Sequence, residues 1–273
     1  MHDLAFVFAG FFVGLIVGLT GVGGGSLMTP ILIFFFGVKP YMAVGTDLLF
    51  AAFTKAGGTI SLMKQRLVPW RVVGQLCAGS IPAALITLYV LHQLGPASTE
   101  VQKLMTTTLG GALLLTAGAT LFKAIRMRKP PMRVVSSAGP VDSPATTSDE
   151  VAMQARHWSL PVLFGALIGT LVTLTSVGAG AIGVTVLLVL FPLLPLPRII
   201  AADIAYAVPL TLVAGMGHAS LGSVDWPLLL KLLAGSLPGI WLGSQLMHKT
   251  PERIVRSMLS VLLAYAGLKL IAL

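Results

Sequence analysis

The distribution of apolar stretches constrains the fold of this chain more than any other feature of its sequence. A transmembrane helix needs about 20 mostly apolar residues, and ten apolar stretches follow one another here, most of them near that length. They fall at about residues 4–22, 25–37, 41–63, 71–91, 101–123, 158–177, 181–193, 199–221, 226–247 and 254–272. We therefore predict an all-α polytopic membrane protein.

The composition supports this prediction. Apolar residues make up 56% of the 273 residues and charged residues only 10%, against roughly 25% charged in soluble domains. This excludes a soluble globular enzyme and a disordered chain. The net charge of +9 comes from basic residues between the apolar stretches, so it indicates membrane topology and not a nucleic-acid partner. With one cysteine and five scattered histidines, we predict no disulfide within the chain, no metal site and no cofactor.

The second stretch of each half is too short for an upright span. Residues 25–37 and 181–193 would each extend well under the thickness of the bilayer at about 1.5 Å per residue. Each follows a glycine cluster, TGVGGGS (20–26) in the first half and TSVGAGA (175–181) in the second. We predict that both form glycine-led short or re-entrant helices near the midplane of the membrane.

A polar segment divides the chain. Residues 126–157 are rich in Pro, Ser and Thr, carry mixed charge and have little apolar periodicity, as is typical of a flexible linker. The predicted organisation is an N-terminal membrane repeat at 1–125, a linker at 126–157 and a C-terminal membrane repeat at 158–273. The chain begins without a basic region, so we expect the first apolar stretch to be a retained helix.

The two halves resemble each other in sequence. At an offset of 155 residues, VGLTGVGGG (17–25) aligns with VTLTSVGAG (172–180), and at an offset of 156, QLCAGSIP (75–82) aligns with KLLAGSLP (231–238). The same offset of 156 pairs Asp47 with Asp203. Chance agreement between apolar residues does not easily produce matched Gly, Asp and Pro positions as well, so we infer an internal repeat.

Charge predicts the orientation of these repeats. Most Lys and Arg residues lie in the linker and in the turns near 64–71, 193–198 and 249–256. The positive-inside rule places these regions in the cytoplasm and both termini on the periplasmic side. With five segments per half, the halves then enter the membrane from opposite sides. Inverted repeats with short, glycine-interrupted helices are typical of secondary transporters.

The glycine clusters are candidate anion-binding loops. Glycine lets the backbone approach a ligand closely, and a helix N-terminus offers free N–H groups and partial positive charge. The alternative is close packing of small residues between helices. The candidate binding residues in the two loops are Thr20, Gly23, Gly24, Gly25, Ser26, Thr175, Gly178 and Gly180.

Lys55 is a second candidate, because it lies inside the third apolar stretch. A lysine at the centre of a membrane helix costs about 2.5–3.5 kcal/mol on insertion scales and usually has a function. We predict that it faces the interior and holds an anion. The alternatives are snorkelling to an interface or pairing with Asp47. The equivalent residue in the second half is Thr211, so the site is asymmetric in charge.

Asp47 and Asp203 have two interpretations. Near the start of a long helix, aspartate commonly acts as a cap. The alternative is a role in coupling, as a proton carrier or a Na⁺ ligand. Tyr206 follows Asp203 by three residues, which places both on one helix face, and we include it in the candidate site. His218 falls late in its helix, and we predict a helix-end or interfacial position for it.

Several longer motifs resemble one known family. They are GLTGVGGGSLMTPIL (18–32), VGTDLLFAAFTKAGGT (44–59), VPW (68–70), LTSVGAGAIGV (174–184), ADIAYAVPLTLVAGMGH (202–218) and VDWPLLLKLLAGSLPGIWLGS (224–244). With these motifs the chain resembles the sulfite exporter TauE/SafE family over nearly its whole length outside the linker. The resemblance implies an inner-membrane carrier with an internal duplication that moves sulfite, organosulfonates or related anions, commonly outward.

Together, the residues and the resemblance predict a secondary transporter of small sulfur-containing anions that works by alternating access between its repeats. The alternative is a passive anion channel. An enzyme is not expected, because the chain has only nine acidic residues and lacks a G-x-S-x-G motif. The expected partners are a small anion and the lipid bilayer. The small-residue run AGSIPAA (78–84) packs helices within one chain or between two copies in a homodimer.

Overall fold

The structure, a computed structural model, describes residues 2–20, 25–126, 159–178, 180–246 and 252–271. Within these ranges the regular secondary structure consists of ten α-helices. In chain order they are α1 (His2–Thr20), α2 (Gly25–Phe36), α3 (Pro40–Lys64), α4 (Trp70–Leu94), α5 (Thr99–Arg126), α6 (Ser159–Thr175), α7 (Ala181–Leu190), α8 (Leu196–Ser220), α9 (Trp226–Leu246) and α10 (Glu252–Ile271). The predicted linker at 126–157 lies, apart from Arg126, outside the described residues, and the division into 1–125 and 158–273 stays a prediction.

Helix lengths agree with the predicted pattern of apolar stretches. α2 has 12 residues and α7 has 10, which corresponds to about 18 and 15 Å, well below the roughly 30 Å of a hydrocarbon core. Among the described helices, four are long and apolar enough to cross a membrane: α4, α5 over Thr99–Leu121, α8, and α9 over Trp226–Gly243. The all-helical prediction and the two short helices are therefore confirmed.

Glycines bring α1 into close contact with α9. A Cβ atom added at Gly10 would lie 3.0 Å from the Cα atom of Leu232, and one at Gly14 would lie 2.8 Å from the Cα atom of Ser236. From the other side, Gly235 of α9 is packed against the backbone of α1 at Val7. Such a stripe of small residues lets two membrane helices approach at backbone distance.

The same arrangement joins α4 and α6. A Cβ atom added at Gly165 would lie 3.3 Å from the Cα atom of Leu76, and one at Gly169 would lie 2.7 Å from the Cα atom of Ser80. Gly79 of α4 in turn packs against the backbone of α6 at Val162. Each of the two closely packed pairs therefore joins a helix from the first part of the chain to one from the second.

The long helices α3 and α8 pack against each other in antiparallel directions. Gly45, near the start of α3, faces His218 near the end of α8, with 3.1 Å between an added Cβ atom and the His218 Cβ atom. Near the end of α3, an added Cβ atom at Gly58 would lie 3.8 Å from Ile204, near the start of α8. Each of these helices has 12 buried residues among its 25, so the pair contributes much of the interior of the bundle.

Large apolar side chains cover much of the outer surface. On α1, Leu4, Phe8 and Phe12 recur at helical spacing and are exposed, and on α4 Ile86 and Tyr89 are exposed as well. Exposed apolar stripes of this extent are costly in water. They match a protein whose outer face contacts lipid.

Candidate functional site

The buried charged side chains of the bundle lie on α3 and α8. Asp47 and Lys55 belong to α3, and their exposed fractions are 0% and 7%. Asp203 and Tyr206 belong to α8 and are exposed by 2% and 0%. The pair of antiparallel helices thus brings together four of the predicted site residues that are far apart in sequence.

Lys55 interacts electrostatically with both aspartates, and its interaction with Asp203 is stronger than that with Asp47. Burial of an ammonium group is expensive unless opposite charge is close, so these carboxylates explain why Lys55 is tolerated inside the bundle. The snorkelling alternative for Lys55 is wrong, because the side chain is buried and faces α8. When all three groups are ionised, the cluster carries one net negative charge.

Asp47 is held by hydroxyl groups from two other segments. Thr29 of α2 donates a hydrogen bond to its Oδ2 atom, with an oxygen–oxygen distance of 2.5 Å. Ser176, which follows α6, also interacts with this carboxylate. The other carboxylate oxygen, Oδ1, is buried and has no hydrogen-bond partner among the described residues. The capping interpretation of Asp47 is therefore wrong, since the cap position of α3 is Lys39.

The turn between α6 and α7 has an unusual backbone. Ser176 has a φ angle of +59°, and Gly178 and Gly180 have φ angles of +129° and +138°. Only glycine adopts such angles readily, which explains both glycines. Val177 of this turn is buried in the same apolar cluster as Phe50 of α3, so the turn of the second half reaches the aspartate of the first half.

Asp203 has different neighbours. Gly183 of α7 lies so close to it that an added Cβ atom would collide with the Asp203 Oδ1 atom and would lie 3.2 Å from the hydroxyl oxygen of Tyr206. The Tyr206 hydroxyl is buried and forms no hydrogen bond within the described part of the chain. Asp203 does not cap its helix either, because the cap position of α8 is Pro195.

Two of the predicted hydroxyl ligands are engaged with the backbone. The Thr175 hydroxyl donates to the carbonyl oxygen of Leu171 at 2.6 Å and accepts from the N–H of Val177 at 3.1 Å. The Thr211 hydroxyl donates to the carbonyl oxygen of Ala207 at 2.7 Å. Thr175 therefore stabilises the end of α6, and Thr211 bonds within its own helix.

The first glycine cluster is described only in part. Thr20 ends α1 and Gly25 begins α2, but the predicted residues Gly23 and Gly24 lie outside the described residues. The positions of the Thr20 and Ser26 side chains are likewise outside the description. The predicted anion loop of the first half therefore stays a prediction.

The helix-end position predicted for His218 is confirmed, but the alternative of an interfacial side chain is wrong. We expected a helix-end or interfacial histidine, and it does lie in the last turn of α8, but its exposed fraction is 0%. Its Nε2 atom is 2.9 Å from the carbonyl oxygen of Thr173. This hydrogen bond joins α8 to α6, so His218 is an interior contact.

Sequence reasoning missed Thr29, Ser176 and Gly183 as parts of the site. A signal existed for two of them, because Ser176 aligns with Gly21 and Thr29 aligns with Thr185 at the repeat offsets. A serine in place of a glycine hints at a backbone conformation that favours glycine. The approach of Gly183 to Asp203 has no comparable signal.

Comparisons with known proteins agree with this architecture. The family model described as sulfite exporter TauE/SafE matches residues 6–270. The Bacillus subtilis (strain 168) protein named probable membrane transporter protein YjnA is 34% identical over 278 residues, which covers 98% of this chain and 100% of that protein.

Two further proteins of the same organism are similar over their whole length. Probable membrane transporter protein YunE is 25% identical over 99% of this chain and 98% of its own length. Probable membrane transporter protein YdhB is 24% identical over 96% of this chain and 97% of its own length. No solved structure matches the chain significantly. All three names describe membrane transporters rather than enzymes. Since the family model covers nearly every residue, this chain belongs to the sulfite exporter TauE/SafE family of integral membrane proteins.

Proposed function

We propose that the protein is a secondary transporter of small sulfur-containing anions, such as sulfite or organosulfonates, that works by alternating access between two inverted repeats. The observation that carries the proposal is the burial of Lys55 between two carboxylates on α3 and α8. A buried ammonium group in a membrane helix usually marks a functional site, and Lys55 is the proposed contact for the anion. The sulfur-containing substrate class follows from the family description.

Backbone geometry supports the repeat. The residue before α3, Lys39, and the residue before α8, Pro195, both have φ −58° and ψ 140°. The residues after these helices, Gln65 and Leu221, have φ and ψ of −82° and 0° and of −83° and 2°. Both pairs are related by the offset of 156 found in the sequence. The same helix with the same ends therefore occurs once in each half.

Reciprocal contacts support a symmetric arrangement in which the first helix of each half packs against a helix of the other half. Gly14 of α1 lies against Ser236 of α9, and Gly169 of α6 lies against Ser80 of α4. The offsets of 155 and 156 convert the first contact into the second. Such reciprocity is what a pseudo-twofold axis between the repeats produces.

The antiparallel packing of α3 and α8 fits an inverted arrangement of the halves. Together with the positive-inside rule, it favours a cytoplasmic linker and periplasmic termini in an inner-membrane protein. The proposed anion site is formed by Lys55 and the glycine-rich loops, with Tyr206 and Thr211 beside it. Asp47 and Asp203 are the proposed coupling residues. Within the chain, Gly79 and Ser80 of the small-residue run 78–84 pack against α6, and a homodimer is a further proposal.

Counterflow in proteoliposomes tests this function. Vesicles with the purified protein are loaded with unlabelled sulfite, and uptake of labelled sulfite is measured with sulfate and sulfoacetate as competitors. A carrier gives saturable uptake that is accelerated by the internal sulfite, and the competitors rank the substrates. Vesicles without protein are the control.

Two outcomes contradict the proposal in different ways. Uptake that is fast but unaffected by internal sulfite would indicate a passive anion channel. No uptake of labelled sulfite by protein that is folded and inserted would remove sulfite as a substrate.

A further inference from the structure

Three oxygen-bearing side chains from three separate segments meet at one buried point. They are Asp47 of α3, Thr29 of α2 and Ser176 of the turn between α6 and α7. Their exposed fractions are 0%, 0% and 5%. Two of the segments come from the first half of the chain and one from the second, so this point lies where the halves meet.

Two of these oxygens are not satisfied by the protein. The Asp47 Oδ1 atom and the Ser176 hydroxyl oxygen are both buried, and neither forms a hydrogen bond to any described residue, although Ser176 interacts with the carboxylate. Buried polar atoms nearly always have a partner, and exceptions often mark an ion or a ligand. Ser176 also adopts a φ angle of +59°, which is uncommon for a residue other than glycine.

The charges of the cluster also do not balance. Asp47, Asp203 and Lys55 together carry one net negative charge when ionised, and Lys55 interacts more strongly with Asp203 than with Asp47. One bound monovalent cation would make the cluster neutral.

We propose that Asp47, Thr29 and Ser176 form a binding site for a sodium ion. A carboxylate and neutral hydroxyl oxygens in an enclosed position suit a hard monovalent cation, whereas Ca²⁺ takes six to eight oxygens and Mg²⁺ keeps several waters. A break between two half-helices is a common place for sodium in secondary transporters. A proton on the Asp47 Oδ1 atom would donate to the Ser176 hydroxyl oxygen and is the competing occupant, but it would give no response to NaCl at constant pH.

This inference deepens the proposed function, because it names the coupling ion of the same transporter. A bound sodium ion removes the net negative charge of the cluster, which would otherwise repel the anion. The direction of net flux then depends on the sum of the sodium and anion gradients. The site itself is tested without any sulfur anion, so failure of one proposal is distinguishable from failure of the other.

The experiment measures thermal unfolding of the purified full-length protein in detergent while NaCl replaces choline chloride at constant ionic strength. Chloride stays constant, so any change reports the cation. The expected result is a midpoint temperature that rises with sodium and saturates. Binding of ²²Na⁺ to the same samples gives the affinity directly.

Three variants locate the site. Asp47→Asn is expected to abolish the sodium response. Ser176→Gly removes the hydroxyl and relieves the positive φ angle, so the variant folds, but its sodium affinity is expected to fall at least about tenfold. Ser80→Ala is the matched control, because Ser80 in α4 is also a buried serine without a hydrogen-bond partner in the described residues, and its response is expected to equal that of the unmodified protein.

Each other outcome overturns the proposal. Equal midpoints in sodium and choline for the unmodified protein would show that no sodium site exists. An equal rise in the midpoint when KCl replaces choline chloride would show that the site is not specific for sodium. A normal sodium affinity in Ser176→Gly would place the ion elsewhere.

Discussion

The two buried aspartates hold the same position in their halves and have different surroundings. Asp47 accepts a hydrogen bond from Thr29 and interacts with Ser176, whereas Asp203 lies against the backbone of α7 at Gly183 and interacts more strongly with Lys55. A repeated sequence therefore places two carboxylates equivalently, and the residues around each one decide its chemistry. We expect the two to have diverged in function.

One substitution between the halves accounts for part of this difference. The residue that aligns with Gly183 at the offset of 156 is Leu27, which is buried in the apolar cluster of α2. Glycine at position 183 lets the Asp203 carboxylate lie against the α7 backbone, whereas Asp47 interacts with both the side chain and the backbone of Thr29 in α2. Thr29, two residues after Leu27, donates the hydrogen bond that Asp47 accepts.

Removal of Lys55 is the largest expected perturbation. Lys55→Met leaves two buried carboxylates without their cation, and we expect the free energy of unfolding to fall by about 3–5 kcal/mol. A second substitution should restore more stability at Asp203 than at Asp47, because the former interacts more strongly with Lys55. The recovery of stability is measured by equilibrium unfolding in mixed micelles. The three proteins compared are Lys55→Met alone, Lys55→Met with Asp203→Asn, and Lys55→Met with Asp47→Asn. Equal recovery of stability in the two double variants would show that Lys55 does not favour Asp203 over Asp47.

Loss of the Thr29 hydroxyl is expected to have the next largest effect, confined to the Asp47 side. Thr29→Val removes a hydrogen bond to a charged group and should cost about 1.5–3 kcal/mol, whereas Thr29→Ser should keep most of the stability. Thr211→Val is the matched control, since its hydroxyl donates within its own helix. The same unfolding assay applies, and equal losses at the two threonines would contradict the special role of Thr29.

Crowding the Asp203 side provides the converse test. Gly183→Ala places a Cβ atom against the Asp203 carboxylate, and we expect about 1–3 kcal/mol of destabilisation from overpacking and slower sulfite counterflow. Gly57→Ala is the control, because a Cβ atom at Gly57 has no neighbour within 4 Å in the described structure and alanine favours helix by up to about 1 kcal/mol. Normal stability and counterflow in Gly183→Ala would show that the close approach is unimportant.

The smallest effect on stability is expected at Tyr206. Tyr206→Phe removes a buried hydroxyl that forms no hydrogen bond in the described residues, so stability should stay within about 0.5 kcal/mol or rise slightly. If that hydroxyl contacts the anion, the KM for sulfite counterflow rises while the unfolding midpoint does not change. An unchanged KM would exclude Tyr206 from the proposed anion site.

Much of the fold was predictable because helices inside a membrane need long apolar stretches, which are visible in the sequence. The apolar stretches predicted the ten helices, including the short α2 and α7, since their lengths follow directly from composition. The burial of Lys55 also followed, because a lysine in an apolar stretch has few tolerable positions. Its preference for Asp203 did not follow, as it depends on how two helices cross.

The incorrect predictions have the same cause, which is that the sequence does not show how the helices pack against one another. Asp47 and His218 lie near helix ends in the sequence, where capping and interfacial positions are common, and only tertiary packing shows that both are buried. The hydroxyl groups around Asp47 come from residues 18 and 129 positions away in the chain. No local pattern encodes such a meeting, although the glycine aligned with Ser176 indicated its backbone conformation.

The close contact between α1 and α9 has a consequence for synthesis of the protein. Gly10 is made more than 200 residues before its partner Leu232, which at about 5–20 residues per second is a delay of roughly 10–45 s. During that time the glycine face of α1 is in the membrane without its final partner. Lipid or the insertion machinery must cover this face, and the bundle closes only when nearly the whole chain has left the ribosome.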